Sequence, residues 1–251
     1  MIFELHRHHI HAIVLDIEGT TTPIGFVYEV LFPFARTHLR DYLDQADVEH
    51  LCEPIRRLRA EWSADVEQGN GPPQWSPPDE AQGLRPEAQE ANAYVEWLMD
   101  RDRKSPGLKL LQGQIWERGY AAGLLHGEVF PDVPPALQRW RDSGITIAIY
   151  SSGSQLAQRL LFGSTRQGNL TTLISRFFDT DVGAKVTAES YVRIGRELAC
   201  PVEHVLFVSD VSDELNAARE AGCQTLLCVR PGNRSQPKNT FPVMRSFDEI
   251  S

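Results

Sequence analysis

Two carboxylate side chains, Asp16 and Glu18, follow a short apolar segment near the start of the chain. The four apolar residues 12–15 predict a strand that is buried on both faces, as in the middle of a parallel sheet. Ligands of open α/β sheets bind at the carboxyl ends of the strands, so an aspartate placed there is rigidly held and open to chemistry. Two neighbouring carboxylates at such a point favour a bound cation, although an acidic helix cap is the simpler alternative for this stretch alone.

Three further polar residues follow apolar segments or turns later in the chain. Ser151 and Asp210 each end an apolar run, and Lys185 lies in the polar turn 183–187. Taken singly, each has an ordinary structural explanation, because serine and aspartate often cap helices and lysine is usually solvated. Parallel strands end at one edge of a sheet, however, so we expect these side chains to converge there with Asp16.

These residues are the groups that phosphoryl transfer requires. We expect Asp16 to be the nucleophile and to form an aspartyl phosphate, because a carboxylate needs no deprotonation at neutral pH. Asp16 and Asp210 offer the hard oxygen ligands that Mg²⁺ prefers. The hydroxyl of Ser151 would hold a phosphoryl oxygen. Lys185, at about 4 Å from a phosphate oxygen, would contribute on the order of 4 kcal/mol at an effective dielectric constant near 20.

Two kinds of segment must position these residues. From 23 to about 125, apolar residues recur at helical spacing and predict an all-helical insertion, interrupted by a loop at 69–83 that holds four prolines. From about 134 onwards, apolar strands alternate with helices, which indicates an α/β fold with a parallel sheet. We therefore predict a catalytic core of residues 1–22 and 126–251 with a helical cap of residues 23–125.

The composition limits the partners that we expect. Of the 251 residues, 41% are hydrophobic and 24% are charged, and the net charge of -9 argues against a nucleic-acid partner. No apolar run approaches the roughly 20 residues of a membrane helix, so we expect no membrane contact. The four cysteines form no Cys-x-x-Cys pair and are predicted to be reduced thiols in the core. We expect a cytoplasmic monomer.

The order of these motifs is similar to that of a known superfamily. The segment Asp16-x-Glu18-Gly19-Thr20, the strand-terminal Ser151, Lys185 and the Asp210 before a helix resemble the four motifs of the haloacid dehalogenase-like hydrolases. Further segments resemble one family within that superfamily, the enolase-phosphatases of methionine salvage. These segments are residues 16–21, 30–36, 131–133, 150–154, 160–163, 177–180, 189–191 and 229–233. The likeness is weakest between about 44 and 105, where only helical character matches.

The resemblance implies a Rossmann-like core with a helical cap and an enzyme that uses one Mg²⁺ per subunit. Its substrate would be a small phosphorylated diketone, 2,3-diketo-5-methylthiopentyl 1-phosphate, which is enolised and then hydrolysed to the acireductone and phosphate. By position in the motifs, the metal residues are Asp16, Glu18 and Asp210, the substrate-binding residues are Ser151, Ser152 and Lys185, and the catalytic residues are Asp16, Glu18 and Lys185.

Some roles and two alternative functions stay open at this level. Many phosphatases of the superfamily carry aspartate at the position of Glu18, so Glu18 acts either as a general acid or mainly at the metal site. Asp213 and Glu214, one turn beyond Asp210, are candidates to orient water around the metal. One alternative is a phosphatase or phosphonate hydrolase for another small substrate. The other is a receiver-like phospho-acceptor module, against which the long helical insertion argues.

Overall fold

The computed structural model describes residues 2–76, 83–236 and 240–251, so residues 77–82 of the predicted proline-rich loop lie outside the described residues. The chain divides into two compact units. The first is Met1–Tyr28 with Leu125–Ser251, and the second is Glu29–Leu124. The range of 23–125 that the sequence suggests for the cap therefore differs from the second unit at both ends.

Helices make up much of both units. Within the described residues they are α1 (Phe32–Gln45), α2 (Val48–Glu67), α3 (Leu84–Asp100), α4 (Pro106–Ala121), α5 (Val133–Asp142), α6 (Gln155–Gly163), α7 (Ala188–Glu197) and α8 (Ser212–Glu220), with a π-helix at Phe26–Leu31 and short 3-10 helices at Thr171–Leu173, Val202–His204 and Phe247–Glu249. None of the helices in the described ranges is long and apolar enough to cross a membrane.

The first unit is built on a parallel sheet of short, apolar strands. As far as the chain is described, the strands are β1 (Ala12–Leu15), β2 (Thr146–Tyr150), β3 (Arg176–Phe178), β4 (Val205–Ser209), β5 (Gln224–Cys228) and β6 (Val243–Met244). Their spatial order is β3-β2-β1-β4-β5-β6, and the pairings are parallel. Leu15 is in register with Ile149 of β2 and with Val208 of β4. The strand order thus reverses beside β1, which is where ligands bind in doubly wound α/β folds.

Both faces of the central strand β1 are covered. Val14 packs in a buried apolar cluster with Tyr191 of α7 and Leu215 of α8. Leu15 points to the opposite face, since side chains alternate along a strand, and it is also fully buried. A strand that is dry on both faces needs apolar residues at every position, which explains the unbroken apolar run in the sequence.

The predicted α/β fold with its parallel sheet is confirmed, with differences in detail. The strand β6 has two residues and is too short to produce a recognisable pattern. A π-helix precedes α1 where helical spacing alone predicts one continuous helix. The cysteines are free thiols, but Cys52 is exposed, so the prediction that all four lie in the core is wrong for this residue.

The second unit contains the four helices α1 to α4. Local sequence sets the start of α4, because Ser105 Oγ accepts the N–H of Leu108 at 2.9 Å and Pro106 is the first helical residue. A Cβ on Gly107 would lie 2.7 Å from a side-chain carbon of Leu58 in α2. The glycine therefore allows α4 to approach α2 closely.

One carboxylate is buried inside this helical unit. The Asp65 side chain accepts hydrogen bonds from the Tyr94 hydroxyl at 2.7 Å and from Asn70 Nδ2 at 2.8 Å, and it pairs with Arg103 at 2.6 Å. Burial alone would raise the pKa of Asp65, but these donors outweigh burial and lower the pKa below its ordinary value. The cluster therefore keeps Asp65 ionised and joins α2 to α3.

Candidate active site

Asp16 lies directly after the central strand β1. Its backbone N–H donates to the carbonyl oxygen of Val208 at 3.0 Å and so continues the pairing of β1 with β4. Asp210 directly follows the last residue of β4, and Asp16 and Asp210 are only 4% and 5% exposed. The register of two adjacent strands therefore brings two buried carboxylates to the same edge of the sheet, at the point where the strand order reverses.

The ammonium group of Lys185 contacts one of these carboxylates. Lys185 Nζ donates to Asp16 Oδ1 and forms an ion pair with Glu214 Oε2 at 2.7 Å. Two tyrosines fix the turn that carries the lysine. The Tyr191 hydroxyl donates to the Lys185 carbonyl oxygen at 2.7 Å, and the Tyr150 hydroxyl donates at 2.8 Å to the carbonyl oxygen two residues earlier in that turn. The buried lysine is thus held in place by both its backbone and its side chain.

Glu214, in the first turn of α8, is itself held by a hydrogen bond. Ser209 Oγ donates to the same Oε2 atom of Glu214 at 2.9 Å, and this hydroxyl accepts the backbone N–H of Val211 at 3.1 Å. The carboxylate therefore has one fixed position, from which it directs Lys185 towards Asp16.

Three carboxylates share this edge of the sheet with one lysine. Burial, with the charges of Asp16 and Glu214, raises the pKa of Asp210 to about 7. Burial and the charge of Asp16 likewise raise the pKa of Glu214. Burial would lower the pKa of Lys185, but the two carboxylates that contact it hold its pKa above the usual value. Negative charge is therefore in excess here, and a bound cation would relieve it.

The chain turns sharply just after Asp16, at Gly19. Gly19 has a φ of 74°, a left-handed conformation that favours glycine. A Cβ at this position would lie 2.5 Å from Asp210 Oδ2 and 2.8 Å from Asn233 Oδ1. The Thr21 hydroxyl donates to the Asp16 carbonyl oxygen at 3.1 Å and so fastens the turn. Position 19 therefore admits no side chain while the Asp210 and Asn233 oxygens keep their places.

The remaining predicted site residues lie on loops around these groups. Ser151 directly follows β2, at the same edge of the sheet as Asp16. Its hydroxyl accepts the backbone N–H of Gly153 at 3.1 Å. Ser152 is exposed and Glu18 is half-buried. The structure thus brings Asp16, Lys185 and Asp210 together, with Ser151 at the same edge, while the assigned roles of Ser152 and Glu18 stay predictions.

The available oxygen atoms fit a Mg²⁺ ion that keeps some of its water. Asp16 and Asp210 supply carboxylate oxygens. Within the described residues, the buried side-chain oxygens Thr20 Oγ1, Thr22 Oγ1 and Asn233 Oδ1 have no hydrogen-bond partner. No group of three or more His, Cys, Asp or Glu side chains in the described ranges is arranged to hold a metal ion. Water or backbone oxygens would therefore complete the coordination, as is usual for Mg²⁺.

Sequence reasoning missed two features of this site. The sequence suggests that Asp213 and Glu214 orient water around a metal, whereas the structure pairs Glu214 with Lys185 and leaves Asp213 exposed. Asn233 has no predicted role, although it lies in the segment 229–233 that resembles the family. Its side-chain nitrogen donates to the Gly19 carbonyl oxygen, a contact between residues so far apart in the chain that sequence spacing alone does not reveal it.

Comparison with known proteins agrees with this geometry. A family model described as haloacid dehalogenase-like hydrolase matches residues 10–222. Enolase-phosphatase E1 of Synechococcus elongatus is 46% identical over 243 residues, which are 96% of this chain and 98% of that protein. Its counterpart in Danio rerio is 40% identical over 246 residues, 94% of this chain and 93% of that protein. The chain belongs to the enolase-phosphatase family of haloacid dehalogenase-like hydrolases.

A solved structure supports the same assignment for this hydrolase. The UTR4 protein of Saccharomyces cerevisiae superimposes with a TM-score of 0.73 at 31% sequence identity, and the match covers 95% of this chain and 99% of that chain. The family, the fold class and the assignment as a hydrolase that the sequence predicts are therefore confirmed.

Proposed function

We propose that this hydrolase is a Mg²⁺-dependent enolase-phosphatase that converts 2,3-diketo-5-methylthiopentyl 1-phosphate, through its enol phosphate, into the acireductone 1,2-dihydroxy-3-keto-5-methylthiopentene and phosphate. The observation that carries the proposal is the buried carboxylate of Asp16, which contacts Lys185. Asp16 follows β1, and Asp210 follows the adjacent strand β4. Relatives named enolase-phosphatase E1 that match almost the whole chain support this choice of reaction.

Asp16 acts as the nucleophile in the phosphatase step. One of its oxygens attacks phosphorus, the bond between phosphorus and the enol oxygen breaks, and the released enol oxygen takes up a proton. Water then attacks the aspartyl phosphate, which releases phosphate and restores the carboxylate. Glu18 is placed near enough in sequence to supply the first proton, or else it acts mainly at the metal site.

Lys185 and the serines bind the phosphate. The ammonium group of Lys185 neutralises charge on the phosphoryl oxygens, and the hydroxyls of Ser151 and Ser152 donate to them. Mg²⁺, held by Asp16 and Asp210 with Glu18 as a further metal residue, supplies positive charge beside the phosphoryl oxygens when bound, one ion per subunit. The positive charge of Lys185 also favours an enolate oxygen in the first step.

The decisive experiment follows the diketo phosphate by absorbance and by phosphate release in the same time course. We expect the enol to appear before phosphate, and both steps to require Mg²⁺. Asp16→Asn should abolish phosphate release, because the amide is a poor nucleophile, while the exposed control Asp142→Asn should retain it. Phosphate release that survives Asp16→Asn would show that Asp16 is not the nucleophile. Phosphate release without an enol would indicate a phosphatase that does not enolise its substrate.

The proposal extends to partners and location. With a net charge of -9, the protein needs local positive charge, from Mg²⁺ and Lys185, to bind a small phosphorylated substrate. The same net charge does not favour nucleic acid as a partner. The free thiols at Cys52, Cys200, Cys223 and Cys228 fit the reducing cytoplasm. We accordingly propose a cytoplasmic monomer without nucleic-acid or membrane partners, which sedimentation of the purified protein and cell fractionation would test.

A further inference from the structure

Asn233 ties the loop after β5 to the turn after β1. Its Nδ2 donates to the Gly19 carbonyl oxygen at 2.9 Å and to the Cys228 carbonyl oxygen at 3.2 Å. An amide nitrogen is a donor and an amide oxygen only an acceptor, so two carbonyl partners allow a single orientation of this side chain. Oδ1 must therefore point away from both carbonyls.

The oxygen of Asn233 lies near the Asp210 carboxylate, where both approach Gly19. Oδ1 is buried and has no hydrogen-bond partner within the described parts of the chain. This atom and Asp210 Oδ2 lie 2.8 Å and 2.5 Å from the place that a Cβ on Gly19 would occupy. One acceptor cannot satisfy another, so the buried Oδ1 of Asn233 costs free energy unless a donor reaches it.

We propose that Asn233 is a positioning residue for the metal, whose Oδ1 accepts a hydrogen bond from a water ligand of the Mg²⁺ ion held by Asp16 and Asp210. The inference rests on the proposed function, because it requires that metal. It gives each polar atom of the Asn233 side chain a role. The nitrogen donates to the Gly19 turn, and the oxygen accepts from a water bound to the ion.

This arrangement gives the glycine at position 19 a second purpose. Its conformation turns the chain, and its missing side chain lets the Asp210 and Asn233 oxygens lie this close to the turn. Through Asn233, the ends of three neighbouring strands, β1, β4 and β5, contribute to one binding site. Residues that orient the ligands of a metal in this way commonly change metal affinity by about 10-fold to 100-fold when they are replaced.

The test measures Mg²⁺ binding to the metal-free full-length protein by titration calorimetry, so that it does not depend on activity. Asn233→Ala should weaken Mg²⁺ binding by about 10-fold to 100-fold. Asn233→Asp keeps an oxygen in the position of Oδ1 but puts its second oxygen against two carbonyls. We expect it to bind Mg²⁺ more tightly than Asn233→Ala, although it is less stable without metal.

The controls separate this role from a merely structural one. Asn169→Ala also removes two side-chain hydrogen bonds, to the N–H and hydroxyl of Thr171, but in an exposed turn. It should leave the affinity for Mg²⁺ unchanged. Thermal unfolding of each metal-free variant reports any loss of structure independently.

Each result has a definite meaning. If Asn233→Ala binds Mg²⁺ like the wild type, or if Asn233→Asp binds it more weakly than Asn233→Ala, the oxygen has no role at the metal and the inference is wrong. If the wild type itself binds no Mg²⁺, the proposed Mg²⁺-dependent function fails as well. A wild type that binds Mg²⁺ and releases phosphate, with unaffected Asn233 variants, overturns the inference alone.

Discussion

Replacing Gly19 with alanine should damage both the stability and the active site of this hydrolase. The residue has a φ of 74°, so any side chain there is strained. The new Cβ would also lie 2.5 Å from Asp210 Oδ2 and 2.8 Å from Asn233 Oδ1, which is closer than such atoms normally approach. The turn, the carboxylate or both must move.

The structure offers a matched variant that isolates the clash from the strain. Gly144 lies in the same unit and has a φ of 79°, but none of the described atoms lies within 4 Å of the place of its Cβ. Gly144→Ala should therefore lower the free energy of unfolding by about 1–2 kcal/mol, the effect of the left-handed conformation alone. Gly19→Ala should lower the free energy of unfolding by about 1–3 kcal/mol more than that, the usual penalty of overpacking.

Urea unfolding of the wild type and the two variants measures these differences, and Mg²⁺-dependent phosphate release measures the effect on the site. Gly144→Ala should keep wild-type turnover. Gly19→Ala should lose about 100-fold or more, since a displacement of about 1 Å in a catalytic group has an effect of this size. Equal destabilisation of the two variants, with turnover intact in both, would refute the reasoning that the oxygens of Asp210 and Asn233 leave no room for a side chain at position 19.

Two further predictions concern the buried charges. Glu214→Gln should destabilise the protein by about 1–3 kcal/mol and slow phosphate release, because Lys185 loses a carboxylate partner at 2.7 Å. Urea unfolding and the phosphatase assay measure the two effects. An equal effect of the exposed control Glu220→Gln would contradict the prediction. In the helical unit, the lowered pKa of Asp65 means that its ionised form stabilises the fold above the unfolded-state pKa of about 3.9, and this stabilisation is lost as the pH falls through the folded-state value. The urea midpoints of the wild type and Asp65→Asn should therefore differ at neutral pH and converge in acid, and a gap that stays constant with pH would count against the prediction.

Much of the core could be predicted because its signals are local. An unbroken apolar run can be recognised from neighbouring residues alone, and β1, β2, β4 and β5 all produced one. The alternation of strands with helices then predicts a parallel sheet, whose strands end at one edge. The convergence of Asp16 and Asp210 follows from this rule without any knowledge of distances. The strand β6 could not be predicted, because two residues carry no periodicity.

The partners of the polar side chains could not be predicted in the same way. Lys185 contacts Asp16, which is 169 residues away in the chain, and the same ammonium group contacts Glu214. The sequence places Glu214 beside Asp210 and so suggests a role at the metal. The helix that starts after β4 instead turns this carboxylate towards the lysine, a direction that only the packed helix determines.

The sequence by itself determined which strands are buried on both faces and which reactive side chains end them, since both follow from residue types in short segments. The tertiary structure alone decided the pairing of Lys185 with Glu214 and the contact of Asn233 with the Gly19 turn. The physical reason is the same in both cases. A hydrogen bond or an ion pair depends on distances of a few ångströms between side chains, and in a folded chain those distances are set by packing between elements that the sequence separates widely.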